Sequence, residues 1–366
     1  MSDRQVLSER ASAFIRGDVN DGAFNELALD VFAFQYELLP VVRSLADEAG
    51  KTPDTVSRWQ DIPAVPTSAF KHLTLFAGNE GDIAQTFESS GTTGTQRSHS
   101  HFSTEGLALM DASVHANATR MFLNDDRATR ILVLAPSPQM VPSMIMAYGM
   151  QKLIDDFGLE GSGFFISPEG FDAKGLLDSM ADAATNTIPI TLIGASFAFV
   201  MLLDQLVDQR IQLPCAPGSR TMDAGGFKDR SRTVTREEMD RMLSERFAIA
   251  AHRNVNLLGM TELPSQFYDN VLRDDNADAR QKVNPHWTRT SVLDPATLRP
   301  LSQGEGILQH LDLANVERPL VIRTEDMGQA HVGGWNVLGR RADADAKGCS
   351  LTVADMVQPQ PLRKVD

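Results

Sequence analysis

A short segment rich in hydroxyl groups and glycines carries the strongest chemical signal in the sequence. Residues 89–95 read Ser-Ser-Gly-Thr-Thr-Gly-Thr, so seven positions hold five hydroxyl groups and two glycines. Glycine lets the backbone adopt positive φ and approach a ligand closely, and hydroxyl and backbone N–H groups can then donate to phosphate oxygens. The Walker pattern GxxxxGK[ST] is absent from the sequence. The segment therefore predicts either a phosphate-binding loop or, from its small polar composition alone, an ordinary surface turn.

Four further segments carry groups that suit a nucleotide site. Paired glycines stand at 225 and 226 in TMDAGGFK, and a Thr-Glu pair stands at 261 and 262 in LGMTEL. Asp326 lies in IRTEDMG, and Gly339 precedes Arg340. Carboxylates can bind Mg²⁺ or ribose hydroxyls, and arginine stays cationic in proteins. Taken singly, a Thr-Glu pair after a strand is typical of a helix cap, and Asp-x-Gly is typical of a turn.

In this order the five segments resemble the motifs of the acyl-adenylate-forming superfamily, which includes acyl- and aryl-CoA ligases, luciferases and peptide-synthetase adenylation domains. SSGTTG resembles the phosphate loop, and the paired glycines resemble those that border the adenine pocket. LGMTEL resembles the aromatic-Gly-x-Thr-Glu motif, IRTEDMG the Thr-x-Asp-x-Gly motif, and Gly339-Arg340 the hinge. IPAVPTSAFK, TMDAGGFKDR, LGMTELPSQFYDN and GCSL further resemble the LuxE-type acyl-protein synthetases, over nearly the whole chain.

The resemblance implies an enzyme that uses ATP and Mg²⁺ to convert a carboxylic acid, a fatty or other apolar one, into an acyl-adenylate with release of pyrophosphate. The acyl group would then pass to a protein cysteine thiol, for a partner acyl reductase or acyl-acceptor protein. Two alternatives stay open: an acyl- or aryl-CoA ligase similar to phenylacetate–CoA ligase, and a non-catalytic nucleotide or acyl sensor or complex subunit. Retention of Glu262 and Asp326 disfavours the sensor, which has no chemical need of a metal ligand.

The resemblance also implies roles for individual residues. The β- and γ-phosphates of ATP are expected to be held by Ser89, Ser90, Gly91, Thr92, Thr93 and Gly94. The adenine is expected to lie against Gly225, Gly226, Gly259 and Met260. The catalytic set is expected to be Thr261 at the α-phosphate, Glu262 as the Mg²⁺ ligand, Lys228 near substrate or phosphate, and Cys349 as the acyl-accepting thiol. Asp326 is expected to accept the ribose hydroxyls, and Arg340 to lie near ribose or phosphate.

The sequence departs from the superfamily pattern at three places. Leu258 stands where the motif has an aromatic residue, so the adenine would pack on an aliphatic side chain. The usual Pro-Lys-Gly after the phosphate loop is missing, which leaves Arg97 as the substitute cation. Larger members continue beyond the Gly-Arg hinge with a domain that carries a catalytic lysine, whereas this sequence ends at Asp366 without a motif of that kind. The C-terminal domain is therefore expected to be truncated, which favours an acceptor supplied by the chain itself, Cys349.

Strands that alternate with helices are predicted for the middle of the chain and must position these groups. Apolar runs predict buried strands at 131–135, 164–166, 190–193 and 254–258, and Thr235 with Glu238 predicts a capped helix over 235–247. Such alternation indicates a largely parallel sheet, whose functional loops lie at the carboxyl ends of its strands. Helices are also predicted within the first 50 residues and over 103–124, and short strands after Trp287.

The predicted fold class is α/β: the N-terminal domain of an adenylate-forming enzyme, with parallel α/β sheets and a small β-rich, barrel-like part. This domain is expected to span residues 1–338, with an α/β body over about 60–286 and the β-rich part over about 287–338. Residues 339–366 are expected to form a hinge and a short tail. The apolar segments at 142–150 and 194–203 could line an acyl tunnel or pack in the core.

Composition narrows the function classes. The 366 residues carry 34 Lys and Arg against 48 Asp and Glu, and this net charge of −14 disfavours nucleic acid or an anionic membrane as the main partner. Two cysteines, Cys215 and Cys349, are too few for a disulfide framework or a Cys-rich zinc site. The N-terminal residues lack the apolar core of a signal peptide, and Pro189 and Gly194 interrupt the uncharged stretch at 185–203. No membrane span and a cytoplasmic location are therefore expected.

Overall fold

The computed structural model describes residues 2–17, 20–89, 97–125, 128–226 and 231–340, with only the backbone described at Arg340. Within these residues the chain forms two compact units. The first unit comprises the described residues up to 117, residues 260–267 and residues 281–340. The second unit comprises residues 118–259 and 268–280.

The described residues form eight α-helices and fourteen strands. The helices are α1 (Asp3–Arg16), α2 (Asp21–Leu38), α3 (Pro40–Ala49), α4 (Thr104–Met121), α5 (Ile145–Phe157), α6 (Ala173–Thr185), α7 (Ser196–Asp208) and α8 (Arg236–Phe247). The strands are β1 (Val65–Pro66), β2 (Gln85–Glu88), β3 (His99–Phe102), β4 (Arg130–Pro136), β5 (Gly163–Ser167), β6 (Gly170–Phe171), β7 (Ile190–Ala195), β8 (Arg220–Ala224), β9 (Asn254–Leu258), β10 (Phe267–Tyr268), β11 (Thr288–Leu293), β12 (Gly304–Asp312), β13 (Val321–His331) and β14 (Gly334–Arg340).

Local caps explain where several helices begin. Ser2 forms a capping box with Gln5 at the start of α1, and the Asn20 side chain accepts from a backbone N–H of α2. Thr235 caps α8 in the same way, by accepting from the Glu238 N–H at 3.1 Å. The predicted helices at the start of the chain, over 103–124 and over 235–247 are therefore confirmed.

A five-stranded sheet forms the β-rich part of the first unit. Its order is β1-β13-β12-β11, and β14 also pairs with β13. Its pairs are antiparallel apart from β1 with β13, and the register places Asp326 opposite Arg340. The short strands predicted after Trp287 are thus confirmed, and Trp287 itself is fully buried just before β11.

Apart from Phe267 of β10, a seven-stranded sheet in the order β10-β9-β8-β7-β4-β5-β6 belongs to the second unit. Strands β4, β5, β7, β8 and β9 run parallel, and β6 is antiparallel to β5. The predicted parallel sheet is confirmed, and the four predicted strands correspond to β4, β5, β7 and β9. The strand order reverses between β4 and β7, and open α/β sheets bind ligands outside the carboxyl ends of their strands near such a reversal.

Strand β8 is not predicted by the sequence pattern. Its residues read Arg-Thr-Met-Asp-Ala, and all five are buried although two are charged. The charges are paired in the interior: Arg220 lies 2.7 Å from Asp125, and Asp223 lies 2.8 Å from Arg236. Hydrophobic periodicity does not reveal a strand of this kind, because its polar groups are buried through partners elsewhere in the chain.

Both apolar segments considered for an acyl tunnel contribute to the core of the second unit. Met144 and Ala147 from the first segment, and Phe197, Phe199 and Leu203 from the second, belong to one buried cluster. This packing favours the core interpretation for both. Within the described chain, none of the helices combines the length and the apolar character needed to cross a bilayer.

A buried histidine in the five-stranded sheet lacks a partner for one ring nitrogen. The ring of His310, on β12, is fully buried, with its centroid 5.0 Å from that of Phe267 and 5.2 Å from that of Trp335. Thr290 Oγ1 donates to Asn284 Oδ1 at 2.8 Å, so His310 Nδ1 must donate to Thr290 Oγ1 at 2.9 Å. Its Nε2 is then an acceptor without a hydrogen-bond partner among the described residues. Burial lowers the pKa of His310 to about 3, so the native ring is neutral.

We expect His310 to make the stability of the protein fall as the pH drops below 6.5. The unfolded chain takes up a proton near pH 6.5, but the native ring does not until the pH approaches 3, so the native state binds fewer protons between these values. Between pH 7 and pH 5 the corresponding loss is about 2 kcal/mol. His310→Phe removes the titrating group, and urea unfolding at both pH values should show a smaller loss for the variant. Equal losses in the two proteins would contradict this role.

Candidate active site

The structure describes part of the predicted site, and its residues fall in both units. The first unit contains Ser89, Met260, Thr261, Glu262, Asp326 and the backbone of Arg340. The second unit contains Gly225, Gly226 and Gly259. The remaining predicted residues lie outside the described part of the chain: Ser90, Gly91, Thr92, Thr93, Gly94, Lys228 and Cys349. Their roles stay predictions.

Strands β2 and β3 pair antiparallel, and the end of β2 and the start of β3 flank the predicted phosphate loop. Beyond the last paired residues, Glu88 and His99, the Ser89 N–H donates to the Ser98 carbonyl, and the Ser98 N–H donates to Ser89 Oγ, both at 3.0 Å. Arg97 donates to the Glu88 carboxylate at 2.8 Å. The two chain positions that flank the hydroxyl-rich segment are therefore held side by side, with a guanidinium next to them.

The segment that carries Thr261 and Glu262 forms a buried turn. Thr261 is 1% exposed and Glu262 7% exposed, and the Leu263 N–H closes the turn on the Met260 carbonyl at 3.2 Å. Asn315 Nδ2 donates to the Glu262 carbonyl at 3.1 Å. The backbone of this pair is therefore fixed both within the turn and by a side-chain amide from a distant part of the chain.

Ser265 anchors the same segment to the five-stranded sheet. Its N–H and Oγ donate to the Asp312 carboxylate at 3.0 and 2.8 Å, and its Oγ accepts from Trp287 Nε1 at 2.8 Å and Ser113 Oγ at 2.9 Å. Asp312 is fully buried, and burial raises its pKa to about 6 against the hydrogen bonds that it accepts from Ala314 and Ser265. Sequence reasoning did not find this pair, because 47 positions separate the two residues and nothing local marks either one.

A buried arginine links this turn to strand β3 beside the predicted phosphate loop. Arg318 is fully buried and donates to the His101 carbonyl at 3.1 Å and to Asn315 Oδ1 at 2.8 Å. Its guanidinium carbon lies 3.5 Å from the centroid of the Phe102 ring, which suits a cation–π contact. Since Asn315 also binds the Glu262 carbonyl, one hydrogen-bonded path joins β3 to the Thr-Glu turn.

The Thr-x-Asp motif and the Gly-Arg pair come together in the β13–β14 hairpin. Asp326 and Arg340 are register partners on the two strands. Thr324 Oγ1 accepts from the Asp326 N–H at 3.0 Å and donates to the Leu308 carbonyl at 2.9 Å, so this threonine orients the backbone that carries the aspartate. Gly339 has φ of +120°, a conformation that other residues rarely adopt. The hairpin thus accounts for the threonine and the glycine of these two motifs.

The paired glycines follow directly after β8. Gly225 has φ of +76°, which requires glycine or a strained residue. At Gly226 and Gly259 an added Cβ would meet no described atom within 4 Å. The space beside Gly226 and Gly259 is therefore open among the described residues, and the role of these glycines at the adenine border stays a prediction.

Glu262 is the described carboxylate that the sequence predicts as a ligand for a nucleotide-bound cation. No three His, Cys, Asp or Glu side chains among them are grouped to hold a metal ion by themselves. Mg²⁺ in nucleotide sites is usually bound by one or two carboxylates together with substrate phosphates. Glu262, at the predicted triphosphate site, fits that mode of binding.

Solved structures with this fold belong to adenylate-forming enzymes. The A-PCP part of McyG, solved with phenylalanyl-adenylate, matches 84% of this chain with a TM-score of 0.52 and 15% identity, and the match covers 48% of that chain. A long-chain-fatty-acid-CoA ligase from Archaeoglobus fulgidus matches 79% with a TM-score of 0.50 and 14% identity, over 56% of its own length. The chain therefore spans about half the length of these solved structures, and its fold is that of the adenylate-forming enzymes.

Sequence comparison identifies the family of adenylate-forming enzymes to which the chain belongs. The family model described as acyl-protein synthetase, LuxE, matches residues 2–358, and the chain belongs to this family. Long-chain-fatty-acid–luciferin-component ligases are similar to it: that of Aliivibrio fischeri is 22% identical over 348 residues, covering 91% of this chain and 88% of the relative. That of Vibrio harveyi is 22% identical over 344 residues, covering 93% and 85%. The predicted family, fold and ligase class are therefore confirmed.

We expect Ser265→Ala to destabilise the protein by about 1–3 kcal/mol, because it leaves Asp312, Trp287 Nε1 and Ser113 Oγ without the hydroxyl that they all contact. Urea unfolding measures the loss. Ser302→Ala, at an exposed serine of the same unit, is the control and should change stability by less than about 0.5 kcal/mol. Equal stability of the two variants would show that the anchor at Ser265 contributes nothing.

Proposed function

We propose that this protein activates a fatty or other apolar carboxylic acid with ATP and transfers the acyl group to a protein thiol. The observation that carries the proposal is the buried, doubly anchored Thr261-Glu262 turn in a chain of the acyl-protein synthetase family. The acid is proposed as a fatty acid because the similar ligases of Aliivibrio fischeri and Vibrio harveyi are named for long-chain fatty acids. Their names also support an acceptor partner of the luciferin-component kind, and we propose that the enzyme works in the cytoplasm.

The first step joins two anions, so the site must offset their repulsion. A carboxylate oxygen of the acid attacks the α-phosphorus of ATP, the bond from that phosphorus to the bridging oxygen breaks, and pyrophosphate leaves. In this step the Thr261 hydroxyl would donate to the α-phosphate. Glu262 would bind Mg²⁺, which supplies positive charge to the phosphates when bound.

The remaining predicted residues would hold the nucleotide. Asp326, on β13 beside the backbone of Arg340, is placed by Thr324 and would accept the ribose hydroxyls. The β- and γ-phosphates would be bound by the segment that Ser89 opens, where Arg97 contributes a cation close to the end of β2. The adenine would lie against Gly225 and Gly226.

In the second step a thiolate attacks the acyl carbon of the adenylate. The bond between that carbon and the phosphate oxygen breaks, AMP leaves, and a thioester remains. Two alternative functions, a CoA ligase and a non-catalytic sensor or complex subunit, can be distinguished from acyl transfer to a protein thiol by hydroxylamine trapping and by pyrophosphate exchange. Acylation that requires added CoA would identify a CoA ligase, and the absence of acid-dependent ATP–pyrophosphate exchange over a broad panel of acids would identify a sensor.

We expect Glu262→Gln to lower acid-dependent ATP–pyrophosphate exchange by at least about a hundredfold, because a neutral amide is a poor ligand for Mg²⁺. The thermal unfolding midpoint should stay close to that of the wild type, since the amide has almost the same shape. Glu305→Gln, at an exposed glutamate on β12, is the matched control and should retain full exchange. Unchanged exchange in Glu262→Gln would remove Glu262 from the proposed metal site.

The described cysteine, Cys215, is poorly suited to accept an acyl group. Burial raises the pKa of Cys215 to about 12, and its Sγ donates to the Leu213 carbonyl at 3.5 Å. At neutral pH this thiol is almost entirely protonated and is therefore a poor nucleophile. Cys349 lies outside the described residues, and its role as acceptor is proposed from the sequence.

Incubation with ATP, Mg²⁺ and labelled fatty acid should therefore give a hydroxylamine-labile label on the wild-type protein and on Cys215→Ser, but not on Cys349→Ser. A label that persists in Cys349→Ser and disappears in Cys215→Ser would reverse the assignment. A label that survives both substitutions would rule out self-acylation on cysteine.

A further inference from the structure

Asp223 lies two residues before the first of the paired glycines, and its carboxylate is surrounded by donors. The residue is 4% exposed. Ser196 Oγ donates to it at 2.6 Å, Arg236 Nη2 contacts both of its oxygens at 2.8 and 2.9 Å, and Asn256 Nδ2 donates at 3.1 Å. A carboxylate with this many donors is fixed in one orientation.

These donors come from the strands and the helix that adjoin β8. Ser196 follows directly after β7, Asn256 is the register partner of Asp223 on β9, and Arg236 is the first residue of α8. Asp223 therefore ties three adjacent parallel strands together near their carboxyl ends. Ligands of open α/β sheets bind outside these ends, where the connecting loops begin.

Two of these donors, Ser196 and Asn256, also contact the backbone that leads into the glycines. Ser196 Oγ lies 3.3 Å from the Ala224 carbonyl oxygen and 3.2 Å from that of Gly225, and Asn256 Nδ2 lies 3.2 Å from the Asp223 carbonyl oxygen. A hydroxyl has one proton, and the short 2.6 Å contact assigns it to the carboxylate. With its proton on the carboxylate, the Ser196 hydroxyl oxygen makes non-bonded contacts with these carbonyl oxygens, and these contacts keep the peptide that holds Gly225 at positive φ in place. Without the carboxylate, the Ser196 proton would turn toward the carbonyl groups and shift that peptide.

Asp223 is ionised in the native protein. Burial acts to raise its pKa, but the charge of Arg236 and the hydrogen bonds from Ser196, Arg236 and Asn256 outweigh burial, so the pKa lies below its usual value. The orientation of the Ser196 proton is thus set by a full negative charge at neutral pH.

The ion pair between Asp223 and Arg236 is the first of a series of buried ion pairs, and Asp240 in this series serves as a control for Asp223. Arg236 lies 3.8 Å from Asp240, Asp240 lies 3.1 Å from Arg280, and Arg280 in turn donates to Asp269. Asp240 is, like Asp223, a buried carboxylate paired with Arg236. It lies on α8, however, and the structure shows no contact from its carboxylate to the described backbone around Gly225.

We propose that Asp223 is a positioning residue for nucleotide binding: through Ser196 and Asn256 it sets the backbone of Gly225 at the adenine border, without touching the nucleotide. The proposal rests on the proposed function, in which Gly225 and Gly226 border the adenine. A purely structural role would make any change in the KM for ATP follow the loss of stability in variants of Asp223 and Asp240 alike, whereas a positioning role confines that change to Asp223.

The test compares Asp223→Asn with Asp240→Asn in ATP–pyrophosphate exchange. Asp223→Asn should raise the KM for ATP about tenfold, since the disturbed peptide weakens nucleotide contacts, while kcat and the KM for the fatty acid stay within about twofold. Asp240→Asn should leave the KM for ATP within about twofold, whatever its effect on the thermal midpoint. Ser196→Ala keeps the carboxylate and removes its link to Gly225, so it should raise the KM for ATP in the same direction.

Failure of this proposal can be told apart from failure of the proposed function. If the wild type shows exchange but neither Asp223→Asn nor Ser196→Ala changes the KM for ATP, or if Asp240→Asn changes it equally, the positioning role is wrong and the ligase function stands. If Asp223→Asn does not fold, Ser196→Ala decides alone. If the wild type shows no exchange with any acid, the Kd for ATP is measured by calorimetry, and the variants are compared by Kd with the same criteria as for the KM. A wild type that does not bind ATP overturns both proposals.

Discussion

The buried carboxylate of Asp312 is the group on which the placement of the Thr-Glu turn depends. The eight residues 260–267 belong to the first unit, although the chain on both sides of them belongs to the second. Leu263 and Phe267 of this segment are buried, and directional contacts add to this apolar packing. Two hydrogen bonds from Ser265 to Asp312, and one from Asn315 to the Glu262 carbonyl, attach the segment to the rest of the unit.

Buried polar groups also organise the surroundings of this turn. Arg318 and Glu317 are both fully buried and lie 3.1 Å apart, which is tolerable only because each has further partners. Arg318 binds the His101 carbonyl, and Glu317 accepts from Ser103 at the start of α4 at 2.6 Å. Segments that are distant in sequence are therefore held together by hydrogen bonds and ion pairs. Such directional contacts allow these segments fewer relative positions than apolar packing alone would.

The sequence predicts the signature residues of the site but not the groups that hold them. Helix α8 and strands β4, β5, β7 and β9 are predicted because caps and apolar runs are local signals. Strand β8 is missed because its charged residues are buried through partners elsewhere in the chain. Asp312, Asn315 and Asp223 are missed for the same reason: a polar residue with a remote partner looks like any surface residue until the chain is folded.

The discontinuous course of the first unit has a consequence for how the protein is made. Residues 118–259 and 268–280, the described part of the second unit, are translated before strands β11 to β14. During translation the seven-stranded sheet can thus complete its core while the N-terminal helices still lack the sheet with which they form a unit. In the native protein, the Gln35 amide of α2 lies 2.9 Å from the Val316 carbonyl oxygen. In a growing chain this hydrogen bond cannot form until Val316, 281 residues later, has been translated.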